Sequence, residues 1–451
     1  MSDDSRTPPN HVSTRNACKV CAPLGASLVF KGIAGAVPLL HGSQGCSTYI
    51  RRYLIGHFRE PADIASSSFS EETTIFGGGE NLRTAVRNIV RQYTPSVVAI
   101  ATTCLAETIG EDVALHLHGF EPSEALPPMV HVSTPSYNGT HVDGFVAAVK
   151  ALITRFAKNG TTDKRLVALF PCMLSCAELR HLRELCTDFG LKAVLVPDYS
   201  DTLDGGIWDD YHLLPPGGTT VDELTGIGSA AASIDFSGAL FTHRSAGVVL
   251  EQQCGVIAHR MLPPIGIGLS DQFFDTLAEV SGCGVPEKHR AARQRLVDAY
   301  IDGHKIAAGK RAILFGDTDY VTALACFLYE TGVTIAAIVT GDPEKTVRDA
   351  ILGRLPEESD PLIVCDGDFE DISSILKDQP ADILIGSSKG YAAARAAGIP
   401  LVRTGFPVQD RIGGQRLMHI GYEGTLRLYD AIINTFIEQM QSGSSVGYMT
   451  W

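Results

Sequence analysis

Three cysteines stand where they could do metal chemistry. Cys21 precedes Pro23 and Gly25, Cys46 closes the loop His41-Gly42-Ser43-Gln44-Gly45, and Cys104 follows Val97-Val98-Ala99-Ile100-Ala101. That last run, apolar and β-branched, reads as a buried parallel strand. Thiolates on loops at strand ends can converge on one point from distant parts of a chain. They are soft donors of the kind an iron–sulfur cluster needs. Glycines beside them let the backbone approach a bulky inorganic group without a Cβ clash. The intervals of 25 and 58 residues are not a compact metal signature. Taken singly, each cysteine reads first as a packing residue.

The elements that must position these residues alternate in type. Residues 80–94 repeat apolar side chains at helical spacing, with Leu82, Val86, Ile89 and Val90 on one face. Residues 96–102 form the strand that delivers Cys104, and the next helix is expected after Glu107. Met129–Val132 is a further strand, ending at Ser133-Thr134-Pro135-Ser136-Tyr137, and His141 opens a helix. Strands are expected at 165–170 and 193–196, then at 312–317, 334–340, 361–365 and 382–386, the last four following a long helix over 288–308. Strands alternating with helices imply parallel βαβ units. A length of 451 residues suggests about three domains. The expected division is a flexible arm 1–17, α/β units 18–160, 161–290 and 291–440, and a Gly/Ser-rich tail 441–451.

Composition narrows the function. A net charge of −14 argues against a nucleic-acid binder, which would usually be basic. No apolar run reaches the ~18 residues of a membrane helix, and the polar N-terminal stretch has no signal-peptide core. Eleven cysteines without a secretion signal suit a reducing cytoplasm and thiol ligands better than a disulfide framework.

Several other features invite a reading. Cys18 and Cys21 form C-x-x-C, but no second pair at zinc spacing follows. Cys172 and Cys176 lie four apart with no further ligands nearby, and Cys186, Cys254 and Cys283 read as packing. Gly77-Gly78-Gly79 lacks the Lys-Ser/Thr of a phosphate loop. Gly316–Asp319 lacks a dinucleotide fingerprint. Arg51, Arg52 and Arg59 read equally as a solvated face or a docking surface.

The blocks CAPLGA, HGSQGC, HFREP, FGGGENL and TTCLAETIG, in this order between Cys21 and Leu82 and on to Gly110, together resemble the β-type subunit of nitrogenase component 1 and its nitrogenase-like relatives. ARQRLVDAYIDGH, GKRAILFGDTDYV and IGYEGTLRLYD extend the resemblance over about residues 18–436. It implies an α/β fold of three Rossmann-like domains with parallel sheets around a central cleft. It implies that Cys21, Cys46 and Cys104 hold half of an interfacial [8Fe-7S] P-cluster, with Cys18 a bystander. Ser136 matches a serine that can bind cluster iron on oxidation, and an ordinary turn serine is the equal alternative. Phe76 matches a residue on the docking surface for an ATP-dependent homodimeric iron–sulfur reductase, with a core aromatic as the alternative.

The implied partner is an α-type subunit in an α2β2 heterotetramer. The block Thr242-His243-Arg244-Ser245 lacks the cysteine that anchors a cofactor in α-type subunits. The iron–sulfur active-site cofactor is therefore expected in the partner, and His243 reads as a satisfied helix histidine. The chain lacks the long amino-terminal extension of the molybdenum-type β subunit, yet retains all three cysteines, which a scaffold subunit usually does not. That combination looks like the β-type subunit of methylthio-alkane reductase. A dinitrogen-reducing β subunit and a cofactor-assembly scaffold subunit are the alternatives.

Overall fold

The computed structural model describes residues 18–120, 124–344 and 346–446. Its strands gather into three sheets in which every pairing is parallel. The first sheet has β1 (Ala36–His41), β2 (Ala65–Ser66), β3 (Val97–Thr102) and β4 (Met129–Val132), in the order β2-β1-β3-β4. The second has β5 (Asp163–Phe170), β6 (Lys192–Leu195), β7 (Ala230–Asp235) and β8 (Ala258–Arg260), in the order β6-β5-β7-β8. The third has β9 (Arg311–Gly316), β10 (Thr334–Thr340), β11 (Leu362–Val364), β12 (Ile383–Gly386) and β13 (Leu401–Arg403), in the order β11-β10-β9-β12-β13. β1 and β3 are buried along their whole lengths. Strands covered on both faces carry continuous apolar runs rather than alternating ones.

The helices that matter to the site lie in the first part of the chain. They are α1 (Ala22–Lys31), α2 (Gln44–Phe58), α3 (Glu71–Phe76), α4 (Gly79–Tyr93), α5 (Cys104–Thr108), α6 (Val113–His118) and α7 (His141–Phe156). α4 buries Leu82, Val86 and Ile89 on one face, as its periodicity requires. α7 starts at a capping box: Thr140 accepts from the helix while Asp143 reaches back to the Thr140 amide. One apolar core runs through all three sheets, from Leu40 and Ala99 to Val167 and Ile234 and on to Leu314 and Ile338. No helix among the described residues is long and apolar enough to cross a membrane.

Some expectations need correcting. The helix after β3 begins at Cys104 itself, with Thr103 in extended conformation as its cap, and not after Glu107. Gly110, at φ +77°, then turns the chain, and Asp112 starts α6 by accepting from the Leu115 amide at 2.9 Å. Strands β1, β2, β7, β8 and β13 were not expected. β7 is Ala-Ala-Ala-Ser-Ile-Asp, a sequence of low strand propensity that becomes a strand because β5 and β8 pair with it on both sides. The expected arm 1–17 lies outside the described residues. So does the end of the expected tail, whose first residues complete a helix running Gly421–Ser442.

Candidate metal centre

The register of the first sheet sets two of the three cysteines side by side. β1 and β3 pair from Ala36↔Val97 to His41↔Thr102, so both strands end level. The next residues lock together: the Thr103 amide and hydroxyl both donate to the His41 carbonyl, at 3.1 and 3.2 Å. A Cβ on Gly42 would stand 1.9 Å from Thr103 Oγ1, so only glycine lets the two loops meet. Cys46 then falls in the first turn of α2, and Cys104 is the first residue of α5. β4, next to β3, delivers Ser136. Its amide donates to Cys104 Sγ at 3.3 Å, and its Oγ accepts from the Ala22 amide at 3.2 Å.

Cys21 arrives by a different route. It caps the N-terminus of α1, which lies directly on α7. A Cβ on Gly25 would sit 1.8 Å from the His141 carbonyl oxygen, and one on Gly144 would sit 1.9 Å from that of Ala22. The two helices touch backbone to backbone through these glycines. The flanks of Cys21 are tied as well. The Val20 amide donates to His141 Nδ1 at 3.3 Å, the His141 amide donates back to the Val20 carbonyl at 3.0 Å, and His141 Nε2 lies 2.9 Å from the Asp317 carboxylate.

All three cysteines are free and half-buried. Burial pushes the Cys21 thiol up to about 11, and the neighbouring Cys46 and Cys104 push the same way against the pull of the Leu24 amide. Cys46 and Cys104 therefore both lie close enough to Cys21 for their charges to oppose its own. A thiol so placed stays protonated until a cation compensates its charge, which is what metal binding does. Among the described residues no three His, Cys, Asp or Glu side chains converge tightly enough to hold a single metal ion. Three soft donors, spread along an open edge and backed by glycine and a sulfur-directed amide, instead fit part of a polynuclear cluster completed from outside the chain.

The other singled-out residues separate clearly. Phe76 ends α3 and is 82% exposed, beside Ile75 at 73%, so the core reading is overturned. The Gly77–Gly79 turn packs inward: the Gly78 amide donates to Glu111 at 2.6 Å, and a Cβ there would strike the Phe69 ring. Arg51, Arg52 and Arg59 are exposed along α2, where they line an open groove with Tyr49 and Ile55. Cys176 faces the Tyr199 carbonyl and Cys172 a small internal cavity. His243 is not a satisfied core histidine. It lies in a 3₁₀ turn with its side chain 63% exposed.

Its neighbour Arg244, which the sequence did not single out, is the buried one. It makes a two-armed contact with Asp342 after β10 and lies 3.1 Å from Asp143 on α7, pinning the three sheets at their meeting point. Lys389, also overlooked, sits over Tyr53 of α2. Neither carries a local sequence signal, because their partners lie far away in the chain.

Residues 21–437 match the family model for nitrogenase component 1 type oxidoreductases. The nitrogenase molybdenum-iron protein beta chain of Clostridium pasteurianum is 34% identical over 94% of this chain and 94% of its own. A nitrogenase iron-molybdenum cofactor biosynthesis protein, NifN, of Nostoc sp. is 33% identical over 96% and 95%. A solved structure of nitrogenase Cp1 superposes with a TM-score of 0.93 at 32% identity, covering 99% of this chain and 98% of that one.

Proposed function

Because the chain belongs to the nitrogenase component 1 type oxidoreductase family, we propose that it is the β-type subunit of a nitrogenase-like two-component reductase and holds half of an interfacial [8Fe-7S] P-cluster. Cys21, Cys46 and Cys104 are the ligands, and an α-type partner supplies the other half within an α2β2 assembly. The observation that carries this reading is the convergence of three half-buried thiols on one open edge, built by the β1–β3 register and the α1–α7 glycine contact. Bound there, such a cluster would accept electrons singly from an ATP-dependent iron–sulfur reductase and release them toward an iron–sulfur cofactor in the partner.

The chain's own residues then have distinct tasks. The Ser136 amide donates to Cys104 Sγ, which lowers the charge on that sulfur, and Ser136 Oγ, which accepts from the amide next to Cys21, is the group that would bind iron on oxidation. Phe76 and Ile75 form an exposed apolar tip suited to the reductase. Residues 18–160, 161–290 and 291–440 act as three Rossmann-like domains. The substrate reading is methylthio-alkane reduction, the cleavage of a C–S bond. It rests on the retention of all three cysteines, which a scaffold subunit usually lacks. Relatives named both as a nitrogenase molybdenum-iron protein beta chain and as a cofactor biosynthesis protein keep dinitrogen reduction and cofactor scaffolding as the second readings.

Anaerobic iron and sulfide analysis with EPR on the complex with its α-type partner tests the cluster. Roughly eight irons per interface in wild type, lost in Cys104→Ala, are expected. Wild type without iron refutes the cluster. Turnover assays with dimethyl sulfide, dinitrogen and acetylene then separate the readings, and a loaded complex that reduces none of them is a scaffold.

A further inference from the structure

One carboxylate joins the exposed tip at Phe76 to the strand ends that carry two of the thiols. Glu111 follows the turn at Gly110, and its side chain is 4% exposed. Its amide donates to the Ala106 carbonyl at 3.0 Å, which ties it to α5, the helix that Cys104 opens. Its carboxylate is met from three sides. Oε1 accepts from the Gly78 amide at 2.6 Å, in the turn directly behind Phe76. Oε2 accepts from His41 Nε2 at 3.1 Å and from His116 Nε2 of α6 at 2.9 Å.

The protons along this chain of contacts are determined. A carboxylate only accepts, so both Nε2 atoms carry hydrogen. Burial holds His41 below its ordinary value, so its ring is neutral and its Nδ1 is an acceptor. Ser67 Oγ, 3.0 Å away, donates to that nitrogen and accepts from the Gly42 amide at 2.9 Å. His41 ends β1, and its carbonyl holds Thr103, the residue before Cys104. Gly42 opens the loop that leads to Cys46. Burial opposes the charge on Glu111, but the Gly78 amide and His41 outweigh it and hold the carboxyl below its usual range. The turn itself has no slack. A Cβ on Gly78 would strike the Phe69 ring, which packs edge-on against His41 at 4.8 Å, and one on Gly79 would lie 2.5 Å from His116 Nδ1.

We infer that Glu111 is a positioning residue that holds the reductase-docking tip and the strand ends bearing Cys46 and Cys104 in one fixed arrangement, so that docking and the properties of the cluster depend on the same side chain. This rests on both the cluster reading and the docking reading. A buried network with every member paired is rigid, and removing its centre leaves buried donors without acceptors. Glu111 acts through His41 and Gly78 and is not itself a ligand.

The test compares Glu111→Gln and Glu111→Met in the complex with the α-type partner. Glutamine keeps the size but has one oxygen, so it cannot serve Gly78 and the imidazoles together. Methionine serves neither. Two quantities are read: the reductase concentration that gives the half-maximal rate of ATP-driven cluster reduction, and the midpoint potential from an EPR-monitored redox titration without reductase. Asp271→Asn, which loosens the contacts of Arg293 and Tyr422 outside this network, controls for a general loss of stability. Both Glu111 variants are expected to need several-fold more reductase and to show a displaced midpoint, while the control keeps both wild-type values. A Glu111 variant that leaves either quantity at its wild-type value overturns the inference, and so does a control that moves both. If the methionine variant does not assemble, the glutamine variant decides alone. Two further results are separate from these: wild-type reductase demand in Phe76→Ala refutes the docking reading, and wild type without iron refutes the cluster reading.

Discussion

Gly144→Ala is the sharpest test of how Cys21 is held. The new Cβ would lie 1.9 Å from the Ala22 carbonyl oxygen and 2.6 Å from its carbon, whereas real Cβ atoms essentially never approach within 3.0 Å. Both atoms in the way are backbone, so no side chain can rotate aside. The N-terminus of α1 must retreat by at least about 1.1 Å, and Cys21, one residue away, retreats with it. Alanine in a helix interior gains about 0.8–1.0 kcal/mol over glycine, but overpacking costs about 1–3 kcal/mol. With two rigid backbones in contact the upper part of that range applies, leaving a net loss of roughly 1–2 kcal/mol.

The larger effect is geometric, because a metal constellation tolerates displacements of only about 0.5 Å. The assay is iron per interface and thermal unfolding of the complex with its α-type partner. Gly226→Ala, where nothing lies within 4 Å, is the control. Gly144→Ala is expected to fold with a lower unfolding temperature and to lose most of its iron, while the control keeps both. Wild-type iron content in Gly144→Ala would refute the claim that this helix contact sets the position of Cys21.

Other consequences are as direct. Phe76→Ala removes an exposed ring, so the unfolding temperature should not move while affinity for the reductase, measured by titration of turnover against reductase concentration, should fall. Arg244→Met leaves the buried Asp342 and the nearby Asp143 without their cation and should cost about 3–5 kcal/mol, read as a fall in thermal stability with no direct effect on the thiols. Burial raises the Asp319 carboxyl to about 8, against the pull of Arg244. Folded Asp319 therefore keeps a proton that the unfolded chain releases near its ordinary value. Stability from this group is present in acid and declines as pH rises from about 4 toward 8. Asp319→Asn should flatten that decline in unfolding temperature measured across pH.

The strands that could be read from the sequence are those whose own residues say so. Val97–Ala101, Ala312–Phe315 and Met129–Val132 are apolar runs of strand type, and all three lie where they were expected. β7 could not be read because its alanines take the strand conformation from β5 and β8, and β2 is two residues long. The candidate site was legible in part. The cysteines stood out by type and by the blocks around them, but their convergence depends on the His41↔Thr102 register and on Gly25 and Gly144, which no local pattern announces. Arg244 meets Asp342 across 98 residues of chain, and Lys389 reaches a helix more than 300 residues before it. Such pairs come into being only when the sheets assemble.

The raised thiol of Cys21 bears on how long an unpartnered subunit survives. Oxidants and electrophiles attack the thiolate, and a cysteine held at about 11 offers almost none of it at neutral pH. Cys21 itself is therefore chemically quiet in the folded chain until a cation compensates its charge. On the proposed reading, the same burial makes binding of iron by Cys21 a proton-releasing event.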